Sequence, residues 1–228
     1  EKNKSSIFVS VASPKLVRFE IVKNSLKEID FGEYALSHIP FDKKFSNYLS
    51  KHNIKVFFII RDPRDMCISM LKHIQSRPRH FGYNYLFKTL KSNSDRIDFI
   101  IKGFVNEKKR EFVGINKMYS SMLNWQDNKY SCFLKYEDLV GKQGGGQIKK
   151  QIQNIKKIFD KLSINRGNLD TNFFEFVGRE SYGKSGTFRK GKIANWKNVL
   201  KNKDIITFKK NINDLLIKLK YESNSDWV

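Results

Sequence analysis

Residues 54–60 read IKVFFII, a nearly unbroken apolar run. A run of this length without alternation fits a strand covered on both faces, the condition of strands in a parallel sheet. Arg61-Asp62-Pro63 follows at once. Pro63 opens the segment PRDMCISMLKHIQSR, in which Met66, Met70 and Ile74 recur every four residues beside Cys67 and Leu71. Proline suits a first helical position, because the N–H it lacks would have no helical partner there. A buried strand that runs straight into a helix is half of a crossover unit, so this stretch confines the chain to folds in which helices cover a parallel sheet.

The other segments agree with that confinement. Residues 6–12 (SIFVSVA) and 131–136 (SCFLKY) read as short strands, and residues 20–29 read as a helix. Ile148, Ile152, Ile155, Phe159 and Leu162 form an apolar stripe at helical spacing, as do Ile205, Phe208, Ile212, Leu215 and Leu219. Such stripes are core-packing faces of amphipathic helices. Residues 141–147, GKQGGGQ, read as a flexible connection. The expected fold is α/β, P-loop-like and three-layered, with a central, mostly parallel sheet flanked by helices, in one domain over residues 1–228. Ligands of such sheets collect beyond the carboxyl ends of the strands. Three candidate strand ends therefore matter: SPK at 13–15, RDPRD at 61–65 and YEDL at 136–139.

Charge narrows the partners. Lys and Arg number 44 against 23 Asp and Glu, a net +21, which attracts polyanions: nucleic acid, an acidic membrane, a sulfated glycan or a phosphorylated cofactor. A lysine-dressed solvated surface accounts for the same number. Cys67 and Cys132 are too few for a disulfide framework or a cysteine zinc site, and the four histidines show no ligand spacing, so no metal is expected. The longest apolar run, 56–60, is far below a membrane span. No secretory leader is readable, although the first residue is Glu rather than Met, and a reducing, cytoplasmic setting is the expectation.

Two phosphate-binding patterns compete near the C-terminal end. Residues 178–185, GRESYGKS, satisfy G-x-x-x-x-G-K-[ST], the P-loop of ATP- and GTP-hydrolysing enzymes. That motif works between a strand and a helix, whose N-terminal amides face the phosphates. Here it runs into GTFRKGK, which has no helical apolar period, and so reads as a coincidence. Arg189-Lys190-Gly191 is the better grip: two cations, then a glycine that lets backbone approach an anion closely. Arg61, leaving a buried strand, together with Ser69 on the following helix, makes a second compact phosphate site. Arg61 equally suits an ion pair with Asp62 or Asp65.

At this point the chain resembles the cytosolic-type sulfotransferase family, above all its bacterial members. FFIIRDPRDMCIS is similar to the family segment whose Arg and Ser bind the 3′-phosphate of 3′-phosphoadenosine-5′-phosphosulfate (PAPS). CFLKYEDLVG, with the glycines after it, resembles the strand end whose Tyr contacts adenine. GTFRKGKIANWK resembles the R-K-G-x-x-x-x-W-K motif, and YALSHIPF the segment that holds the catalytic His. The resemblance runs from Tyr34 onward with the segments in the family's order. It implies that Arg61, Ser69, Arg189, Lys190 and Gly191 hold the 3′-phosphate and that Tyr136 and Phe174 pack on the adenine. It implies further that Lys15 neutralises the leaving phosphate and that His38 is the general base toward a small hydroxyl or amine acceptor, without a metal. An imidazole can exchange a proton near neutral pH, so the role is chemically sound.

The chain also departs from the family. After Lys15 the family continues S-G-T-T-W, whereas this sequence reads LVRFEIV, so the cradle for the 5′-phosphosulfate is not readable. Either two segments are joined across a missing loop, or the loop is lost and activity with it; the surviving His38 and 3′-phosphate groups favour the first. Leu36 stands where many relatives carry Lys, and Asn195 where an Asp precedes the Trp. A rival of another class is a non-catalytic basic module for nucleic acid or an anionic glycan. A nucleotide kinase using Lys184 ranks below it. No specific nucleic-acid partner is expected despite the charge.

Overall fold

The computed structural model describes residues 6–8, 19–30, 32–105, 111–184 and 190–227. Its first half contains β1 (Ser6–Phe8), α1 (Phe19–Leu26), β2 (Tyr34–Leu36), α2 (Lys43–Lys51), β3 (Val56–Ile60), α3 (Pro63–Gln75), a π-helical turn at Tyr85–Thr89 and α4 (Asn93–Lys102). There follow β4 (Gly103–Val105), β5 (Glu111–Val113), α5 (Ile115–Ser120), a 3₁₀ turn at Leu123–Trp125, β6 (Ser131–Lys135), α6 (Tyr136–Leu139) and α7 (Gly141–Gly144). The chain finishes with α8 (Ile148–Lys161), α9 (Thr171–Ser181), a 3₁₀ turn at Asn195–Asn198 and α10 (Asn202–Lys218).

The strands pair as an α/β fold requires. β1 runs parallel to β2, with Ser6 opposite Tyr34, and β3 runs parallel to β6 from Val56–Ser131 to Ile60–Lys135. β4 and β5 form an antiparallel ribbon that the sequence pattern does not announce. The apolar run at 54–60 is thus a strand over its last five residues. Its two ends serve different cores. Ile60 belongs to the large cluster built with α3, α4, α5 and α10, in which Phe208, Leu86, Ile100 and Leu216 are fully buried. Val56 packs with Val22, Phe45, Leu49 and Trp125 in a second cluster, and Phe58 touches both. A third, smaller core lies between α8 and α9 around Ile152, Ile155 and Phe174.

α3 starts as its sequence directs. Asp62 is the N-cap and accepts from the Arg64 amide at 2.9 Å, and Pro63 follows at the first helical position. Two local readings are corrected by tertiary contact. Residues 141–147 are not a loose connection: 141–144 form the short helix α7, Gly141 and Gly144 are buried, and the Gly146 amide donates to Gly141 O at 2.7 Å. Tyr136 is not the last residue of a strand but the first of α6. Of the strand read at 6–12, residues 6–8 are described and the rest lies outside the described residues. The P-loop pattern fails on architecture, because the helix α9, not a strand, leads into Gly178. Among the described residues no helix is long and apolar enough to cross a membrane.

Candidate active site

Because β3 and β6 are parallel and in register, Arg61 and Tyr136 leave the sheet side by side. The Arg61 guanidinium lies 4.7 Å from the centre of the Tyr136 ring, and its side chain is 20 % exposed. Its Nη2 donates to the backbone carbonyl of Lys192 at 2.7 Å, across 131 residues of sequence. The Tyr136 hydroxyl donates to the neighbouring carbonyl, Gly191, at 3.1 Å. The C-terminal basic segment therefore lies directly on the two strand ends. Gly191 is buried and has φ +62°, a left-handed conformation that a side chain would oppose.

Further contacts hold that segment. The Ile193 amide donates to Gly144 O at 3.0 Å, and Lys192 Nζ donates to Gln143 O at 2.8 Å. The Trp196 amide donates to Asp65 Oδ1 at 2.8 Å. The Tyr182 hydroxyl, at the end of α9, donates to Lys190 O at 3.2 Å. These bonds use mostly backbone atoms of 190–196, which leaves the exposed Lys190 side chain in solvent beside the site.

A ring of buried and half-buried acids and hydroxyls backs the strand ends. Glu137 accepts from the Asp62 amide at 2.8 Å and from the Tyr221 hydroxyl at 2.9 Å. Burial pushes its carboxyl above the usual range, against the pull of those hydrogen bonds. The Tyr119 hydroxyl, raised chiefly by burial, donates to Arg61 O at 2.7 Å and so fixes the turn from which the guanidinium extends. Asp65 takes the Trp196 amide on one oxygen; its other oxygen lies 3.8 Å from Arg61 Nη2. Of the two acids that could pair with Arg61, Asp65 is the neighbour, while Asp62 is bound to Arg64.

The remaining candidates are dispersed. Ser69 is half-buried on α3, four residues beyond Asp65 and hence on the same helix face. His38 is exposed on the loop after β2. That loop is tied down beyond it, by the Trp125 indole N–H donating to Ile39 O at 3.3 Å and by the Phe41 amide donating to Ser121 O at 2.8 Å. Ser121 is two residues from Tyr119, so the end of α5 holds both the histidine loop and the Arg61 turn. Phe174 is not brought to Tyr136. It is 1 % exposed in the α8–α9 core, edge-on to Phe159 and Phe173 at 5.5 Å each, and has no free face for a nucleobase. Lys15 and Arg189 lie outside the described residues.

Several residues that build this site carry no local signal. Tyr119 sits in a short helix without a motif, and Tyr221 follows α10. Glu137 could have been found: an acid directly after a strand-end Tyr is placed to reach the neighbouring strand's end. Among the described residues no group of three or more His, Cys, Asp or Glu is arranged to hold a metal.

The arrangement can bind an anion at two converging cationic segments beyond parallel strand ends. A search of curated proteins returns no sequence relative. Among solved structures, the mouse sulfotransferase SULT7A1 complexed with PAP superposes with a TM-score of 0.58 at 16 % identity, covering 97 % of this chain and 77 % of that one. At that identity the likeness speaks for the fold. The profile of the sulfotransferase domain matches residues 16–220, nearly the whole length, and by that match the chain belongs to the sulfotransferase domain family.

Proposed function

We propose that the chain moves a sulfuryl group from PAPS to a hydroxyl or amine of a small acceptor, with His38 as general base. One observation carries this reading: Arg61, Tyr136 and the Gly191–Lys192 backbone meet at the strand ends. The residues there suit a phosphate. Arg61 Nε is buried without a hydrogen-bond partner among the described residues, and a buried donor of that kind calls for an acceptor. Arg61, Ser69, Lys190 and Gly191 would hold the 3′-phosphate, with Arg189 completing the set. Tyr136 would flank the adenine, and Lys15 would neutralise charge at the leaving phosphate. PAPS supplies a sulfuryl group carried on a phosphate that departs as a stable anion. The PAP in the mouse neighbour, which is the desulfated donor, agrees with this ligand class.

His38 stands exposed where an acceptor could reach it, on a loop braced by Trp125 and Ser121. Its imidazole takes the acceptor proton as the acceptor oxygen or nitrogen bonds to sulfur, and releases it to solvent afterwards. A base in this position contributes typically 10²- to 10⁴-fold in rate.

The test is binding first, then turnover. PAP at 100-fold over its dissociation constant stabilises the fold by about 2.7 kcal/mol, a melting shift of roughly 5–10 °C for a chain of this size. No shift at millimolar PAP, in protein carrying its whole N-terminal segment, overturns the reading. His38→Ala is expected to lose at least about 100-fold in turnover and to keep the PAP shift. Unchanged turnover would remove His38 from its role and leave the donor assignment standing.

A further inference from the structure

Arg64 has no part in the anion site described above, yet its charge is fully enclosed. It is 2 % exposed. Its Nε and Nη2 donate to the Asp62 carboxylate at 2.9 and 2.7 Å, and its Nη1 donates to Glu222. The guanidinium lies 4.0 Å from the centre of the Trp196 ring and 4.7 Å from that of Trp227, two indoles set at 89° to each other. Trp227 is fixed in turn by its indole N–H donating to Asn213 Oδ1 at 3.0 Å. Next to this node the Tyr221 hydroxyl binds Glu137, and Lys135 Nζ donates to Lys220 O at 2.9 Å. Residues 220–227 thus reach the strand ends at Lys135, Glu137 and Arg64.

Trp196 connects this node to the anion site. Lys192 O is held by Arg61, and Trp196, four residues on, is held through its amide by Asp65 and through its ring by Arg64. The stretch bearing Lys190 and Gly191 is therefore anchored at its far end by a ring whose position depends on Arg64, and Arg64 on Glu222 and Trp227. A guanidinium does this because it offers a donor fork at its edge and flat faces to aromatic rings; an ammonium offers neither.

We infer that Arg64, Glu222 and Trp227 are positioning residues for the anion site: they set Trp196, and through it the backbone at 190–192. The segment after α10 thereby belongs to the donor-binding site without touching the ligand. The inference rests on the PAPS reading, since it concerns affinity for that nucleotide. Arg64→Ala would take the guanidinium from the buried Asp62 and the half-buried Glu222 and could fail to fold, so the test uses Trp227→Ala, Trp227→Phe and Glu222→Gln. Ile152→Val in the α8–α9 core serves as a destabilised control.

PAP dissociation constants by calorimetry on folded protein, KM for PAPS and kcat, and urea unfolding are measured together. Trp227→Ala and Glu222→Gln are expected to raise the PAP dissociation constant and the KM for PAPS about tenfold, with kcat within about threefold. Trp227→Phe is expected to recover most of the affinity, and Ile152→Val to lose stability without losing affinity. If the unaltered protein binds PAP and the tail variants bind it equally well, the inference is wrong and the donor reading stands. If the unaltered protein does not bind PAP, the donor reading falls first and this inference with it.

Discussion

Asp65 is enclosed beside Arg61, with its second carboxylate oxygen lacking a hydrogen bond among the described residues. Burial raises its carboxyl to about 6 from 3.8, and Arg61 and the Trp196 amide only partly oppose that. The folded chain therefore binds this proton more tightly than the unfolded chain does. Between about pH 4 and pH 6 stability falls as pH rises, and above pH 6 the folded state carries the whole cost, about 3 kcal/mol for roughly two units. Asp65→Asn keeps an acceptor for the Trp196 amide and removes the charge. It is expected to be more stable than the parent at pH 7.5 and to lose the downward slope between pH 4 and 6, as read by urea unfolding from pH 4 to 8. A parent-like slope in the variant would assign it to another carboxyl. The chemistry of Arg61 was legible at this scale, since an Arg leaving a buried strand has few uses. Which acid stands beside it was not, because Asp62 and Asp65 are separated only by how α3 is set against the strand ends.

Helix α7 shows an element whose composition misleads. GKQGGGQ, with four glycines in seven residues, has a poor helix propensity, and nothing local makes it fold. Its glycines are there for closeness. A methyl on Gly144 would sit 2.8 Å from Gly191 O and 2.6 Å from the Val140 side chain. The backbone oxygen cannot swing aside as a side chain could. Gly144→Ala is expected to cost about 1–3 kcal/mol in urea unfolding by overpacking, despite alanine's better helix propensity, and to weaken PAP binding by displacing the 190–192 backbone. An alanine variant as stable as the parent would mean that the segment is not held against α7. Elements set by periodicity, such as β3, α3, α8 and α10, were readable without the fold. The β4–β5 ribbon and α6–α7 were not, because three- and four-residue pieces are too short to show a period and form only against their neighbours.

At the scale of the whole molecule, β3 lies between two cores and Phe58 contributes to both, so neither half buries its apolar surface alone. We expect the chain to unfold as one domain, in a single transition with coincident fluorescence and circular-dichroism midpoints; two separated midpoints would divide it. The net charge of +21 works against compaction. Raising NaCl from about 20 to 300 mM, which shortens the screening length to below 10 Å, is expected to raise the melting temperature without ligand. The same salt should weaken any retention on heparin. A melting temperature that falls with salt would show that attractive ion pairs outweigh the repulsion.

Taken alone, the amino-acid order determined the strands and helices that repeat with a clear period, the strand ends at Arg61 and Tyr136, and a set of short segments resembling those of sulfotransferases. Those are properties of neighbouring residues, and neighbours are what a sequence displays. The tertiary structure alone decided that Arg61 meets Lys192, that Phe174 is core, and that Arg64 is walled in by Trp196 and Trp227. The first and third of these depend on the path of the chain over more than a hundred residues, and the second on how α9 packs against α8; burial and hydrogen bonding select that arrangement for the molecule as a whole.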